Sequence, residues 1–323
     1  MIMKKMNNLE KNKIETPLKK EKSLRECKQN YINTYRTCKK KEYNKFFSLK
    51  ALENLLDFFM VERRMFFFIV VHFSFIVLLP LYAIFRYVYN SPWDIVIKKA
   101  SNPVAIHAIL LSFKLAFITA IINSFFGFII AWCLVRYKFK GRKWFNAAID
   151  LPFSMPTSVT GLTLIKLYGS KGLGRFLGHN QIIYTRKAVL LAMIFTTFPF
   201  VVRSIQPVLE KVTENIELEE TAWSFSYDDD KTFKEVLFPL CIPPLLNGFT
   251  LTFCRALGEF GSVVLVSGNF PFEDLVSSVF VSQTLEQYDY IGACVISSMV
   301  ILGACVFLFI MFWFRYYFVI RKQ

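Results

Sequence analysis

The sequence predicts an all-α, polytopic membrane protein with six transmembrane helices. Composition is the first observation: 54% of the 323 residues are hydrophobic, 36 Phe among them, and mean hydropathy is +0.39, too apolar for one soluble domain. The second is run length, since several apolar stretches reach the roughly 20 residues needed to cross a hydrocarbon core of about 30 Å. The third is the set of Lys- and Arg-bearing segments between these runs, the pattern that orients membrane helices.

Residues 1–64 read as a basic, largely disordered extension, with Lys, Asn and Glu dominating its first two thirds. It holds 17 Lys plus Arg against 8 Asp plus Glu, so nine of the fifteen net positive charges lie here. Juxtamembrane basic charge is accounted for by topology and anionic headgroups. No nucleic-acid reader motif accompanies it, so nucleic acid is not an expected partner. Phe46, Leu49, Leu52, Leu55, Leu56, Phe59 and Met60 recur at helical spacing and predict an interfacial helix over 46–60. The extension lacks the apolar centre of a signal peptide, and Glu10, Glu15, Glu21, Glu26 and Glu42 are out of place in a transit peptide.

The expected spans cover residues 65–85, 106–135, 144–168, 188–209, 245–267 and 291–314, within a six-helix transmembrane unit of 65–323. The second is long enough to tilt, with Lys114 snorkelling near its outer end. Pro152 and Pro156 interrupt the third, and the backbone groups they free need partners in protein or a water-lined cavity. Pro199, Arg203 and Pro207 lie inside the fourth.

Six spans leave both termini on one side. The basic loop of Arg136, Lys138, Lys140, Arg142 and Lys143 then lies inside, as the positive-inside rule requires, together with the polar stretch 211–239. The loop 270–288 lies outside and has no basic residue, whereas Lys171, Arg175, Arg186 and Lys187 run against the rule. The Gly-rich loop 169–174 lacks the G-K-[S/T] ending and the preceding strand of a phosphate-binding loop. Cys27, Cys38, Cys133, Cys241, Cys254, Cys294 and Cys305 form no C-x-x-C pair, and His72, His107 and His179 are isolated. No disulfide framework, metal site or cofactor is expected.

The polar stretch has the pattern of two short helices joined by a turn. Glu217, Glu219 and Glu220 bring negative charge to a first helical turn, Asp228 suits a second N-cap, and Pro239, Pro243 and Pro244 mark a reset of the backbone before the fifth span. By pattern alone it is either a solvated loop or a docking surface. Arg255 and Glu259, four apart, share one helical face, as a structural ion pair or as part of a gate. Gly258, Gly261 and Gly268 allow helices to approach closely.

The polar stretch resembles the EAA loop of ABC importer permeases, with Glu220-Thr221-Ala222 as its opening triplet and Val236-Leu237-Phe238-Pro239 as its closing group at the family's spacing. Ser226 stands where the family has Gly, at a steric cost of about 1 kcal/mol if the turn needs positive φ. Arg255-Ala256-Leu257-Gly258-Glu259-Phe260-Gly261-Ser262-Val263-Val264 is similar to the fifth span of sulfate and molybdate importer permeases. Three runs resemble the T-type sulfate/thiosulfate permease subunit: 131–137, 151–157 and 198–207.

The resemblance implies a type I ABC importer architecture, not an enzyme in itself. Its partners would be ATPase subunits, a second homologous permease in a heterodimer, an external sulfate-binding protein and membrane lipid. It assigns Glu219, Glu220, Thr221, Ala222, Ser226, Val236 and Pro239 to ATPase coupling, Glu220 meeting a basic residue of that partner. Arg255, Glu259, Ser262, Pro156, Thr157 and Arg203 are candidates for the translocation path, Arg203 equally for the inner interface. The implied cargo is sulfate or thiosulfate, with molybdate or tungstate permeases as the nearest rivals and a gradient-driven secondary transporter as a rival of another class. The expected location is a plastid inner envelope, the bacterial inner membrane being the alternative.

Overall fold

The computed structural model describes residues 67–169, 172, 182–214, 217–224 and 226–317, and among these there is helix but no strand. The predicted extension 1–64 and its 46–60 helix lie outside the described residues. In chain order the helices are α1 (Phe67–Asn90), α2 (Trp93–Ala100), α3 (Pro103–Arg136), α4 (Arg142–Ile149), α5 (Leu151–Ser154) and α6 (Thr157–Tyr168). There follow α7 (Arg186–Glu214), α8 (Glu217–Ser224), α9 (Asp229–Leu257), α10 (Val263–Val266), α11 (Ser277–Glu286) and α12 (Tyr290–Arg315).

Helix starts follow local chemistry. The Asn102 side chain accepts the Val104 N–H at 3.0 Å, and Pro103, lacking an N–H, takes the first helical position of α3. The Asp289 carboxylate likewise accepts the Gly292 N–H at 3.0 Å to open α12.

Helices α3, α7 and α9 form the centre. Lipid is as apolar as a Leu side chain, so small residues that let backbones close up drive such packing. Ala105, Ala116, Ala120 and Ala131 of α3 are all fully buried. A Cβ on Gly127 of α3 would fall 2.8 Å from the Val201 side chain of α7, and one on Gly248 of α9 would fall 3.0 Å from the Val201 backbone. Val201 is thus held between two glycines, one from each neighbouring helix. Buried Asn123 adds a polar tie, its amide donating to the Ile194 carbonyl at 3.1 Å and the Thr197 hydroxyl at 2.8 Å.

The structure departs from expectation in several places. Among the described residues five helices, α1, α3, α7, α9 and α12, are long and apolar enough to cross a membrane, where six spans were expected. The expected third span is instead α4, α5 and α6, because Pro152 and Pro156 fall where one helix would need their N–H groups. The fifth span begins at Asp229 and ends at Leu257, well before residue 267. Pro239, Pro243 and Pro244 do not reset the backbone. A π-helical turn over Phe233–Leu237, with the Phe238 N–H bonded to the Phe233 carbonyl, widens the helix directly before Pro239, and α9 continues through all three prolines.

The basic loop and the polar stretch lie at one end of the bundle, where Trp132 of α3, just before that loop, meets Phe233. At the other end Arg186, one of the residues against the positive-inside rule, donates to the carbonyls of Phe272 and Glu273. Lys99 of α2 donates to Asp289 at 2.5 Å there. That hydrogen bond, opposed by partial burial and aided by the Gly292 N–H, holds the Asp289 carboxyl below its ordinary value of 3.8. A carboxyl with a lowered folded-state pKa stabilises the fold above its unfolded value and loses that contribution as pH falls through the lowered one. Asp289→Ala should lower stability by about 1 kcal/mol at neutral pH. In thermal unfolding, the gap to the wild type should close as pH falls below 3.8.

Candidate functional site

The polar stretch folds as an elbow. Ser226 has φ of +59°, its N–H donates to the Trp223 carbonyl at 2.8 Å, and the Tyr227 N–H donates to the Ala222 carbonyl at 3.2 Å. This pair of bonds around a left-handed residue is the Schellman end of a helix, where glycine is the usual occupant. The turn therefore keeps the conformation that the family's Gly implies although the residue is Ser. Trp223 Nε1 donates to Asp229 across the turn at 3.2 Å. Asp228 occupies the N-cap position without a side-chain cap bond, its carbonyl accepting the Thr232 N–H at 2.9 Å. The second arm is no separate short helix; it is the first part of α9.

Among the expected coupling residues, Ala222 is buried and Val236 half-buried, while Glu220, Thr221, Ser226 and Pro239 are exposed. Glu219 lies in α8. An aromatic cluster fastens the elbow to the bundle: Phe233 of α9 meets Trp132 of α3 edge-on at 4.9 Å, and Phe238 meets Phe128 at 5.9 Å. The Arg136 guanidinium lies 5.2 Å above the Trp132 ring. Between elbow and α3 lies an open cleft of about 640 Å3 lined by Trp132, Arg136, Tyr137, Trp223, Asp229 and Asp230, among others.

At the far end of α9 the helix stops at Leu257, capped by Gly258, so Arg255 and Glu259 do not share one continuous helical face as expected. They pair nonetheless, Arg255 Nη2 lying 3.5 Å from Glu259 Oε2 without hydrogen-bond geometry. The Glu259 side chain is 1% exposed and that of Arg255 is 44% exposed. Glu259 Oε1 accepts from the Ser262 hydroxyl at 3.1 Å and from the Ser262 N–H at 3.4 Å. Burying a carboxylate is costly unless such donors surround it.

The start of α6 presses on this break. A Cβ on Gly261 would sit 2.1 Å from Thr157 Oγ1, and one on Gly161 would sit 2.9 Å from the Ser262 carbonyl. Pro156 is the N-cap of α6. Thr157, Glu259, Ser262 and Arg255 are thereby gathered at one place.

Arg203 is not among them. All five of its N–H groups are engaged: Nε and Nη2 with the Asp150 carboxylate at 2.8 and 2.5 Å, Nη1 with Asn146 Oδ1 and Gln206, and Nη2 with the Asn146 carbonyl. The fork braces α7 against α4 and the turn into α5. Sequence reasoning missed Asp150 and Asn146, whose only signal is a carboxylate and an amide inside an otherwise apolar interval.

Comparison with known proteins adds the family. A profile of the binding-protein-dependent transport system inner membrane component family matches residues 123–322. The chain belongs to that family. As a member of these inner membrane components it has close relatives among algae and plants. It is 53% identical over 247 residues to the probable sulfate transport system permease protein cysT of Helicosporidium sp. subsp. Simulium jonesii, covering 75% of this chain and 91% of that one. Proteins of the same description from Chlorella vulgaris and Marchantia polymorpha are 51% and 45% identical, covering 67% and 73% of this chain and 82% of each relative. Its fold resembles the crystal structure of a bacterial ABC transporter involved in import of the acidic polysaccharide alginate, with a TM-score of 0.65 at 14% identity over 82% of this chain and 98% of that one.

Within this permease fold, Ser226→Gly should raise stability by about 1 kcal/mol, since glycine enters the left-handed region without a Cβ clash. Thermal unfolding of the two proteins side by side checks this.

Proposed function

We propose that the chain is the membrane permease subunit of an ATP-driven importer of sulfate or thiosulfate in a plastid inner envelope. A second permease completes the passage, an external binding protein delivers the anion, and ATPase subunits dock at the elbow. Sulfate as cargo is supported by the relatives that the chain matches over most of their length.

One structural observation supports the mechanism: α9 connects the elbow to the Arg255–Glu259 break without interruption. At 1.5 Å per residue its 29 residues span about 43 Å. Movement of the ATPases displaces the exposed Glu220 face of the elbow, and the rod delivers that displacement to Glu259 and Ser262. In the resting state Glu259 holds Arg255. An oxyanion entering beside Thr157 competes for the half-exposed guanidinium, while the Ser262 hydroxyl and N–H keep the buried carboxylate supplied with donors. Such an exchange binds the anion firmly enough to admit it and loosely enough to release it.

Charge reversal at Glu220 tests the coupling. Glu220→Lys should abolish co-purification of the ATPase subunits while membrane insertion and yield of the permease stay normal; undiminished ATPase recovery would contradict the assignment. Molybdate competing with sulfate uptake at equal concentration would favour the molybdate reading, and uptake surviving ATP depletion would favour gradient-driven transport.

A further inference from the structure

The inner end of α3 leads into a short knuckle, residues 137–145, that none of the coupling or path roles uses. Gly141, with φ of +95°, turns the chain into α4. Phe139 and Phe145 close the turn edge-on at 5.8 Å. Trp144 is 83% exposed and Phe145 64% exposed, side by side on a helix only eight residues long.

Around these rings stand Lys138, Lys140, Arg142 and Lys143, with no acidic residue between Arg136 and Asn146. None of the four side chains forms an ion pair or hydrogen bond among the described residues. The nearest carboxylate along the chain, Asp150, is taken by Arg203. The first turn of α4 carries basic residues and no acid, the sign of charge that its dipole disfavours. Uncompensated basic charge beside an exposed Trp and Phe matches a surface that is negative outside and apolar beneath.

We infer that this knuckle is a binding site for anionic lipid headgroups of the inner leaflet, with Trp144 and Phe145 seated at the acyl boundary. Because α4 is bonded to Arg203 through Asn146, headgroup binding steadies the brace between α4 and α7. The occupant is lipid rather than a protein partner, on the ground of charge complementarity along the segment where the longest helix leaves the membrane.

The test uses the full permease in nanodiscs with and without phosphatidylglycerol, followed by native mass spectrometry of retained lipid. Lys138→Gln/Lys140→Gln/Lys143→Gln should lose phosphatidylglycerol retention roughly ten-fold or more. The charge-conserving Lys138→Arg/Lys140→Arg/Lys143→Arg protein should retain it, which separates headgroup binding from misfolding. A photoreactive residue at position 144 in the assembled importer should crosslink to lipid. Unchanged retention in the Gln variant, or crosslinks to an ATPase or a second permease, would overturn the inference. The lipid readout is independent of cargo, so it stands or falls apart from the sulfate assignment.

Discussion

The continuity of α9 from Asp229 to Leu257 is the constraint on which the other features depend. Three prolines lie within it, and each removes a hydrogen-bond donor and sets a ring against the preceding turn. The π-helical turn over Phe233–Leu237 absorbs the first of these clashes by passing the Phe238 N–H to a carbonyl five residues back. The result is one rod whose inner end is the second arm of the elbow and whose outer end is a break closed by Arg255, Glu259 and Ser262. A hinge anywhere between would separate the two sites mechanically.

Two kinds of contact keep the rod in register with its neighbours. The aromatic cluster of Phe128, Trp132, Phe233 and Phe238 ties its inner end to α3 through ring contacts of 4.9 to 6.4 Å. Deeper in, Val201 packs between Gly127 and Gly248, so α3, α7 and α9 meet with almost no side chain between their backbones. The Arg203 fork then carries the arrangement out to α4. Each is short-range and directional, as expected where lipid supplies no hydrophobic drive for helices to associate.

Much of this was legible in the sequence because a membrane permits few solutions. Apolar run length located α1, α3, α7 and α12 within a few residues, and the resemblance to the family's loop from Glu220 to Pro239 located the elbow, while the left-handed conformation of Ser226 emerged only in the structure. The start of α9 was hidden, since Asp229, Asp230, Lys231, Lys234 and Glu235 depress hydropathy without breaking the helix. The interval 144–168 misled in the opposite direction: it is apolar enough for a span, but Pro152 and Pro156 divide it. The pairing of Arg203 with Asp150 crosses 53 positions, and no local periodicity reports a contact of that separation.

The central claim is that the elbow and the Arg255–Glu259 break move as one body. Spin labels at the exposed positions Asp230 at the inner end of α9 and Phe260 in the break just beyond its outer end, in a cysteine-free background of the assembled importer, report the separation of elbow and break by electron resonance. Through ATP binding and hydrolysis that separation should change by far less than one helical turn, about 5.4 Å, while the distance from Asp230 to a label at Tyr82 on α1 changes. A shift between Asp230 and Phe260 as large as the shift to α1 would contradict the account.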